Sequence, residues 1–331
     1  MAIHIQRREF ITLAGGAAAW PIAARAQQFA NMPMIGVLYA GSPAPVAHLM
    51  ALFRRVLSEG GHIEGQNFTI EARYAEGRYE HLPEMAADLV RHRVALILAT
   101  PNANVVRAAK AATADIPILF SVGGDPVKLG LVASLSHPGG NATGVNFFLN
   151  EIVAKRLDLL RELMPAASRF GVLVNPNQAV AEDVTQELTG AGTSLGVQID
   201  VVRARNSREI EAAFASLKDN RAEGLFVAPD TVFVNRRVQI TTLAAANAIP
   251  AIYTVREYVE VGGLMSYGTA LTEVYRQLAI YAGRILKGAK PADLPVVQST
   301  KFELLINLPT ARALHLEIPP TLLARADEVI E

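Results

Sequence analysis

Short, almost continuously apolar runs recur along the chain from Met34 onwards, and longer stretches between them repeat apolar residues every three or four positions. A run without alternating polar positions predicts a strand buried on both faces, as in a parallel sheet covered by helices. The predicted strands form a first series, Met34–Tyr39, Phe68–Tyr74, Ala95–Leu98, Ile116–Val122 and Thr143–Phe147, and a second series, Phe170–Val174, Val197–Arg203, Gly224–Ala228 and Ile249–Tyr253.

The longer stretches predict amphipathic helices between the strands. Successive strands lie about 20–35 residues apart, which is the size of a βαβ unit. We therefore predict an α/β protein with two Rossmann-like, doubly wound lobes, the second beginning near Asn150. The predicted helices are Val46–Glu59, Leu82–His92, Val105–Ala114, Glu151–Leu163, Glu182–Leu195 and Ile210–Asn220.

The C-terminal part adds a predicted strand at Gly263–Tyr267, a helix at Leu271–Leu286, and a strand at Phe302–Asn307 followed by a helix. One strand and one helix for each lobe would complete both lobes. The chain would then cross between them three times and form a three-stranded hinge. The expected lobes are residues 33–146 plus 256–289 and residues 147–255 plus 290–331.

Residues 1–26 have the layout of an export signal: a basic region with Arg7-Arg8, the apolar run Phe10–Ala24 and an A-x-A site ending at Ala26. The apolar run is too short to span a bilayer comfortably. The paired arginines before Phe10 favour a Tat-like signal, and a general secretory signal explains the same residues. We expect cleavage after Ala26 and a mature protein in a bacterial periplasm.

The amino-acid composition argues against several classes of function. The chain is 51% hydrophobic and 19% charged, as in globular proteins. Its 31 basic and 31 acidic residues lack the positive excess that nucleic-acid binding requires. Cys is absent, and the seven histidines show no metal-binding spacing. We expect no nucleic-acid partner, no metal and no cofactor.

Candidate binding residues follow the strands, because open parallel sheets bind ligands beyond the carboxyl ends of their strands. In both lobes these residues are small, turn-forming and rich in hydroxyl, amide and carboxylate groups. Capping of the next helix explains the same residue types and is compatible with binding. The candidates are Ser42, Thr100, Asn102 and Asp125 in the first series and Asn175 and Asp230 in the second.

Other residues near the strand ends leave alternatives open. Several aromatic residues, among them Tyr253 and Tyr267, suit either a ligand with a planar part or ordinary edge packing. Arg256 and Glu257 follow the Tyr253 strand, and they either pair with each other or contact a carboxylate or amine ligand at the cleft mouth.

Motifs along almost the whole chain resemble the exported substrate-binding proteins of ABC transporters, and among them the TrpX-like group. Each motif is short, and their order along the chain makes the resemblance specific. The motifs are residues 7–27, Ile35–Ser42, Ile116–Val127, His137–Gly144, Ala251–Tyr253, Arg256–Tyr258 and Gly262–Gly268.

The resemblance implies a type I periplasmic binding-protein fold in which hinge closure traps a small organic ligand, such as an amino acid or an aromatic compound. It also implies delivery of that ligand to an ABC permease in the inner membrane. We expect a monomer that binds without catalysis. The resemblance places Ser42, Thr100, Asn102 and Asp125 on the cleft face of the first lobe, Asn175, Asp230 and Tyr253 on that of the second, and Tyr267 near the hinge.

Two other functions remain open at this point. An exported α/β enzyme would use Asp125 and Asp230 as acid and base, although these residues fall on different lobes and no histidine occupies an equivalent strand end. A ligand sensor would present its closed form to a membrane receptor kinase, and it would use the same fold.

Overall fold

The computed structural model describes residues 32–147 and 149–331. The predicted signal peptide, residues 1–26, lies outside the described residues. Two sheets, each covered by helices on both faces, make up the described chain.

The first lobe is built on six strands that all pair in parallel. These are β1 (Met34–Tyr39), β2 (Thr69–Tyr74), β3 (Leu96–Thr100), β4 (Ile118–Val122), β5 (Ala142–Asn146) and β11 (Val297–Gln298). Their order across the sheet is β11–β5–β4–β3–β1–β2. The inner strands β3, β4 and β5 are buried along their whole length, whereas the edge strand β2 is half-buried throughout. The continuous apolar runs therefore correspond to strands covered on both faces.

Helices cover both faces of this sheet. On one face α1 (Pro43–Glu59) packs beside α9 (Leu271–Leu286), and their apolar residues form one core with the sheet. On the other face lie α2 (Leu82–Arg91) and α3 (Ala103–Ala112). Two short 3₁₀ turns, Tyr79–His81 and Pro291–Asp293, complete the lobe.

The second lobe is built on seven strands in the order β13–β12–β10–β9–β8–β6–β7. These are β6 (Arg169–Val174), β7 (Gln198–Arg203), β8 (Gly224–Val227), β9 (Ala251–Tyr253), β10 (Met265–Thr269), β12 (Phe302–Asn307) and β13 (Glu328–Ile330). The β10–β12 pair is antiparallel, and the other pairs are parallel.

Its helices again lie on two faces. One core contains side chains of α4 (Leu149–Leu163), α5 (Ala181–Leu195), α10 (Leu308–Ala313) and α11 (Pro320–Leu323). The other contains side chains of α6 (Ser207–Asp219), α7 (Thr231–Asn235) and α8 (Arg237–Ala246). A 3₁₀ turn at Arg256–Tyr258 follows β9.

The chain passes between the lobes three times, from β5 to α4, from β10 to α9 and from β11 to β12. The predicted two-lobed, doubly wound fold with three crossings is therefore confirmed. None of the helices in the described ranges is both long and apolar enough to cross a lipid bilayer.

The sheets divide the C-terminal part differently from the lobe boundaries expected above. β10 belongs to the second sheet, where it pairs with β9 and β12, although residues 256–289 were expected in the first lobe. β11 belongs to the first sheet through Val297, which pairs with Val145, although residues 290–331 were expected in the second lobe. The reason is that β10 pairs with strands of the second sheet, whereas α9, which follows β10, packs with α1 in the core of the first lobe. The chain therefore crosses after β10 and not before it.

Gly144 lies in the middle of β5, where that strand pairs with β4. It is paired with Phe120, and a Cβ atom at position 144 would lie 1.9 Å from the Phe120 carbonyl oxygen. Gly139, in the turn before β5, adopts a positive φ of 76°. The glycines of residues 139–144 thus permit both this turn and the close pairing of β5 with β4.

We expect Gly144→Ala to destabilise the protein by about 3 kcal/mol, because two central strands would have to separate to admit the methyl group. Gly140→Ala is the matched control, since a Cβ there meets no atom within 4 Å. Urea denaturation monitored by circular dichroism measures both. Equal unfolding midpoints for the two variants would contradict this account of the strand pair.

Candidate functional site

A cavity lies between the two lobes, at the carboxyl ends of their parallel strands. The volume open to the centres of water molecules is about 110 Å³. We call it the interlobe cavity. Its walls are mostly apolar or aromatic, and they include Tyr39, Leu49, Phe147, Val180, Leu271 and Tyr275. Polar side chains also line it, among them Asn102, Arg156, Asp230 and Glu257.

Arg156 is a buried cation of the cavity wall. It lies on α4 and is 1% exposed. Its Nε donates to the carbonyl oxygen of Tyr267 at 2.5 Å, and its guanidinium carbon lies 5.8 Å from the ring centroid of Phe226. Nη1 has no hydrogen-bond partner among the described residues. Burial lowers the pKa of Arg156 to about 9, so the side chain remains cationic at neutral pH.

Asp230 caps helix α7 and joins the two lobes. Its Oδ1 accepts hydrogen bonds from the backbone of Val232 at 2.8 Å and from Asn175 Nδ2 at 3.1 Å. Its Oδ2 accepts from the Tyr79 hydroxyl of the first lobe at 2.6 Å. Burial raises the pKa of Asp230, and the hydrogen bonds from Tyr79 and Asn175 oppose that rise. This carboxylate is therefore already well supplied with donors.

Glu257 is the second acid of the cavity and has few partners. It lies in the 3₁₀ turn after β9 and is 7% exposed. Its Oε1 lies 3.6 Å from Nε2 of His48, whereas Oε2 has no hydrogen-bond partner among the described residues. Burial raises the pKa of Glu257 because the charged form loses water.

Asn102 supplies a polar group from the first lobe. Its Oδ1 caps α3 by accepting from the backbone N–H of Val105 at 3.2 Å. Its Nδ2 is buried and without a hydrogen-bond partner among the described residues. The side chain therefore combines a helix cap with a free donor at the cavity.

Among the described residues, hydrogen bonds join the two lobes beside the cavity, and Tyr79 makes two of them, to Asp230 and at 3.0 Å to Thr231 Oγ1. Besides these bonds, the backbone N–H of Ser42 donates to Asn235 Oδ1 at 3.1 Å. Asn104 Nδ2 donates to the carbonyl oxygen of Asn177 at 2.8 Å. The described arrangement is thus one in which both lobes meet around the cavity.

Two of the eight predicted site residues, Asn102 and Asp230, line the interlobe cavity. Thr100 is buried behind it, and its Oγ1 lies 3.3 Å from the hydroxyl of Tyr275, which does line the cavity. Ser42 lies at the N-terminus of α1 and contacts the second lobe through its backbone.

The other four predicted residues lie around the cavity wall and do not line it. Asn175 supports Asp230. Asp125 caps a turn by accepting from the backbone of Val127 at 2.8 Å. Tyr253 stacks on Tyr258, with ring centroids 4.5 Å apart. Tyr267 contributes its carbonyl oxygen to Arg156. A ligand contact by these side chains stays a prediction.

Arg156 was not predicted as a site residue, although the sequence pattern of α4 contains a signal for it. Val153, Leu157 and Leu160 form the buried stripe of α4, and Arg156 occupies a position of that stripe. A lone arginine on the apolar face of a helix indicates a buried cation with a specific partner. Arg256 and Glu257 do not pair with each other. Arg256 pairs with Glu260 and Glu328, each at 2.8 Å, and Glu257 lines the cavity.

One group of side chains has the composition of a metal site, namely Glu71, Asp88 and His92 on the edge of the first lobe. Arg73 donates to carboxylate oxygens of both Glu71 and Asp88, so a cationic side chain of the protein already pairs with these acids. None of these three residues lines the interlobe cavity.

Comparison with known proteins identifies relatives of this chain. A family model described as ABC transporter substrate binding protein matches residues 48–330. Among curated proteins, the tyrosine-binding protein of Clostridioides difficile (strain R20291) is 29% identical over 267 residues, which cover 80% of this chain and 76% of that protein.

Solved structures that share the fold include the following two. An ABC domain from Streptococcus pneumoniae in complex with L-Trp is 24% identical, with a TM-score of 0.82 over 91% of this chain and 100% of that one. The ligand-free, open structure of a Clostridium difficile substrate binding protein with adhesive properties is 25% identical, with a TM-score of 0.64 over 90% and 99%. Because the family model covers most of its length, the chain belongs to the family of ABC transporter substrate-binding proteins.

Proposed function

We propose that this substrate-binding protein is an exported receptor of an ABC importer and that it traps an aromatic amino acid between its lobes. The observation that carries the proposal is the interlobe cavity, in which apolar and aromatic walls surround a buried cation and two buried acids.

The walls of the cavity suit an aromatic side chain. Tyr39, Phe147 and Tyr275 offer ring surfaces, and Leu49 and Leu271 add aliphatic contacts. Aromatic rings gain binding energy from such contacts through burial and through edge-to-face packing. Tyrosine, named for the curated relative, and L-Trp, bound in the Streptococcus pneumoniae structure, both carry an aromatic side chain.

The charged groups suit the amino-acid end of the same ligand. A free amino acid carries one carboxylate and one ammonium group, and the cavity offers a cation, Arg156, and two acids, Asp230 and Glu257. A sugar would leave these buried charges without counterparts, which is costly in an apolar setting.

Trapping by closure is supported by the hydrogen bonds that join the lobes at the cavity mouth. The structure with L-Trp bound superposes on this chain more closely than the ligand-free, open structure. Ligand contacts on both lobes stabilise such a closed form relative to an open one.

The cellular setting follows from the family and from the N-terminal sequence. A predicted signal peptide that ends at Ala26 favours a periplasmic protein, and an ABC permease is the partner that this family implies. Binding without catalysis is favoured because Asp125 does not line the cavity, so the acid–base pair considered above has only Asp230 in place.

The chain from Gln27 onwards, unfolded and refolded to remove copurified ligand, should bind L-tyrosine, L-tryptophan or L-phenylalanine. At about 100 times its dissociation constant, the ligand should add roughly 2.7 kcal/mol of stability, a shift of several degrees in the unfolding temperature. Glucose and benzoate are the controls. Glucose has neither the aromatic ring nor the charged groups of the ligand, and benzoate has a ring and a carboxylate but no ammonium group. A shift with either control and none with the amino acids would refute the proposed ligand class.

Indole fluorescence gives an independent readout of the same binding. The single tryptophan of the chain, Trp20, lies in the predicted signal peptide, so a chain beginning at Gln27 has no indole of its own. Fluorescence of added L-tryptophan should therefore change on binding without interference from protein indole.

Tyr79→Phe should weaken binding of the amino acid about tenfold, because the closed form loses a hydrogen bond to a buried carboxylate. Isothermal titration calorimetry measures the change. Tyr74→Phe is the control, since the ring of Tyr74 packs on Tyr39 within the first lobe. Equal affinities of the two variants would show that the Tyr79–Asp230 bond does not contribute to closure.

A further inference from the structure

We propose that Arg156 and Glu257 are the two side chains that select a free amino acid, with Arg156 Nη1 binding the carboxylate of the ligand and Glu257 Oε2 binding its ammonium group. This inference rests on the proposed function and assigns the charged contacts within that site. Asp230 has a different role in it, as the acid that holds the lobes together.

The assignment of the carboxylate follows from the surroundings of Arg156. Nε is fixed by the Tyr267 carbonyl oxygen, so the plane of the guanidinium group is held in place. No carboxylate of the described side chains lies within ion-pair distance of it, and Phe226 covers part of the group. A buried cation without a counterion is costly, and an anionic ligand group removes that cost.

The choice between the two acids follows from their hydrogen bonds. Asp230 already accepts from Val232, Asn175 and Tyr79, so both of its oxygens are occupied. Glu257 has one oxygen 3.6 Å from the His48 ring and the other without a partner. An ammonium group has three protons to donate and therefore gains most beside the unsatisfied carboxylate.

The burial of Glu257 supports the same assignment. Its neighbours are of both signs, since Arg237 and Arg256 favour the charged form, whereas Glu260 and Glu303 oppose it. Loss of water outweighs these contributions and raises the pKa of Glu257. A ligand ammonium group in contact with Oε2 would oppose that rise and stabilise the charged carboxylate.

The lobes differ in what they contribute to recognition. Arg156, Asp230 and Glu257 all lie on the second lobe. The first lobe adds Asn102, whose unpartnered Nδ2 is a second donor for the ligand carboxylate, and Tyr79, which contacts Asp230. The zwitterion is thus held mainly by one lobe, and closure brings the other over it.

Ligand analogues test the assignment. The refolded chain is titrated calorimetrically with L-tyrosine, with tyramine, which lacks the carboxylate, and with 3-(4-hydroxyphenyl)propionate, which lacks the amine. The corresponding tryptophan set is L-tryptophan, tryptamine and indole-3-propionate. The wild type should prefer each amino acid over both of its analogues by about 100-fold, as expected for loss of one charged hydrogen bond.

Glu257→Gln should reduce the preference for the amino acid over the propionate by at least about tenfold, while its preference over the amine stays unchanged. The matched control is Glu260→Gln, an exposed acid three residues away that does not line the cavity. A preference over the propionate that is the same in Glu257→Gln as in the control would overturn the assignment of Glu257.

Arg156→Lys should reduce the preference for the amino acid over the amine and leave its preference over the propionate unchanged, because a lysine cannot reproduce the guanidinium fork. Arg161→Lys on the same helix is the control, since Arg161 donates to the carbonyl oxygen of Leu195 away from the cavity. An unchanged preference over the amine would overturn the assignment of Arg156.

The outcomes separate this inference from the proposed function. A wild type that binds the amino acids, with variants that keep its preferences, would overturn the assignment alone. A wild type that binds none of the amino acids would overturn both.

Discussion

The parallel direction of the strands determines where this protein can bind a ligand. With the exception of the β10–β12 pair, the described strands of each sheet run parallel to their neighbours, so loops and helix N-termini collect at one edge of each sheet. The two edges face each other, and three crossings of the chain keep them together. The cavity and the hinge therefore lie close to one another, and Arg156 connects them because it lines the cavity and also holds the carbonyl oxygen of Tyr267 in β10.

The distribution of charge over the two lobes gives the cavity its chemical character. A cation and two acids come from the second lobe, whereas the first lobe contributes mainly apolar and aromatic walls. Asp230 and Glu257 differ in their partners although both are buried. Asp230 is used within the protein, between Tyr79 and Asn175, whereas Glu257 retains an unsatisfied oxygen. The two buried acids of the cavity thus differ in whether protein groups already occupy their oxygens.

Much of this architecture could be predicted from the sequence. The strands β1 and β12 have the predicted bounds, because continuous apolar runs occur where a strand is covered on both faces. Helix α8 was missed because apolar residues are not confined to its buried face: Val238 is exposed, whereas Thr241 is buried. β11 has only two residues, and β10 was placed in the other lobe, because strand pairing depends on contacts between distant parts of the chain.

The site was predictable to a smaller extent. Asn102 and Asp230 were found because they follow strands and cap helices, and these positions also face the cleft. Arg156 lies within a helix, where a rule based on strand ends has no information. The partners of the Glu257 carboxylate depend on how His48 of α1 packs against it, and a local sequence pattern does not predict contacts between distant parts of the chain.

A crystal structure of the chain with L-tyrosine bound tests the central claim most directly. We expect the ring of the ligand between the walls of the interlobe cavity, its carboxylate at about 3 Å from Arg156 Nη1 and its ammonium group at a similar distance from Glu257 Oε2. Tyrosine bound outside this cavity, or bound there with its ammonium group on Asp230 and its carboxylate away from Arg156, would contradict the account.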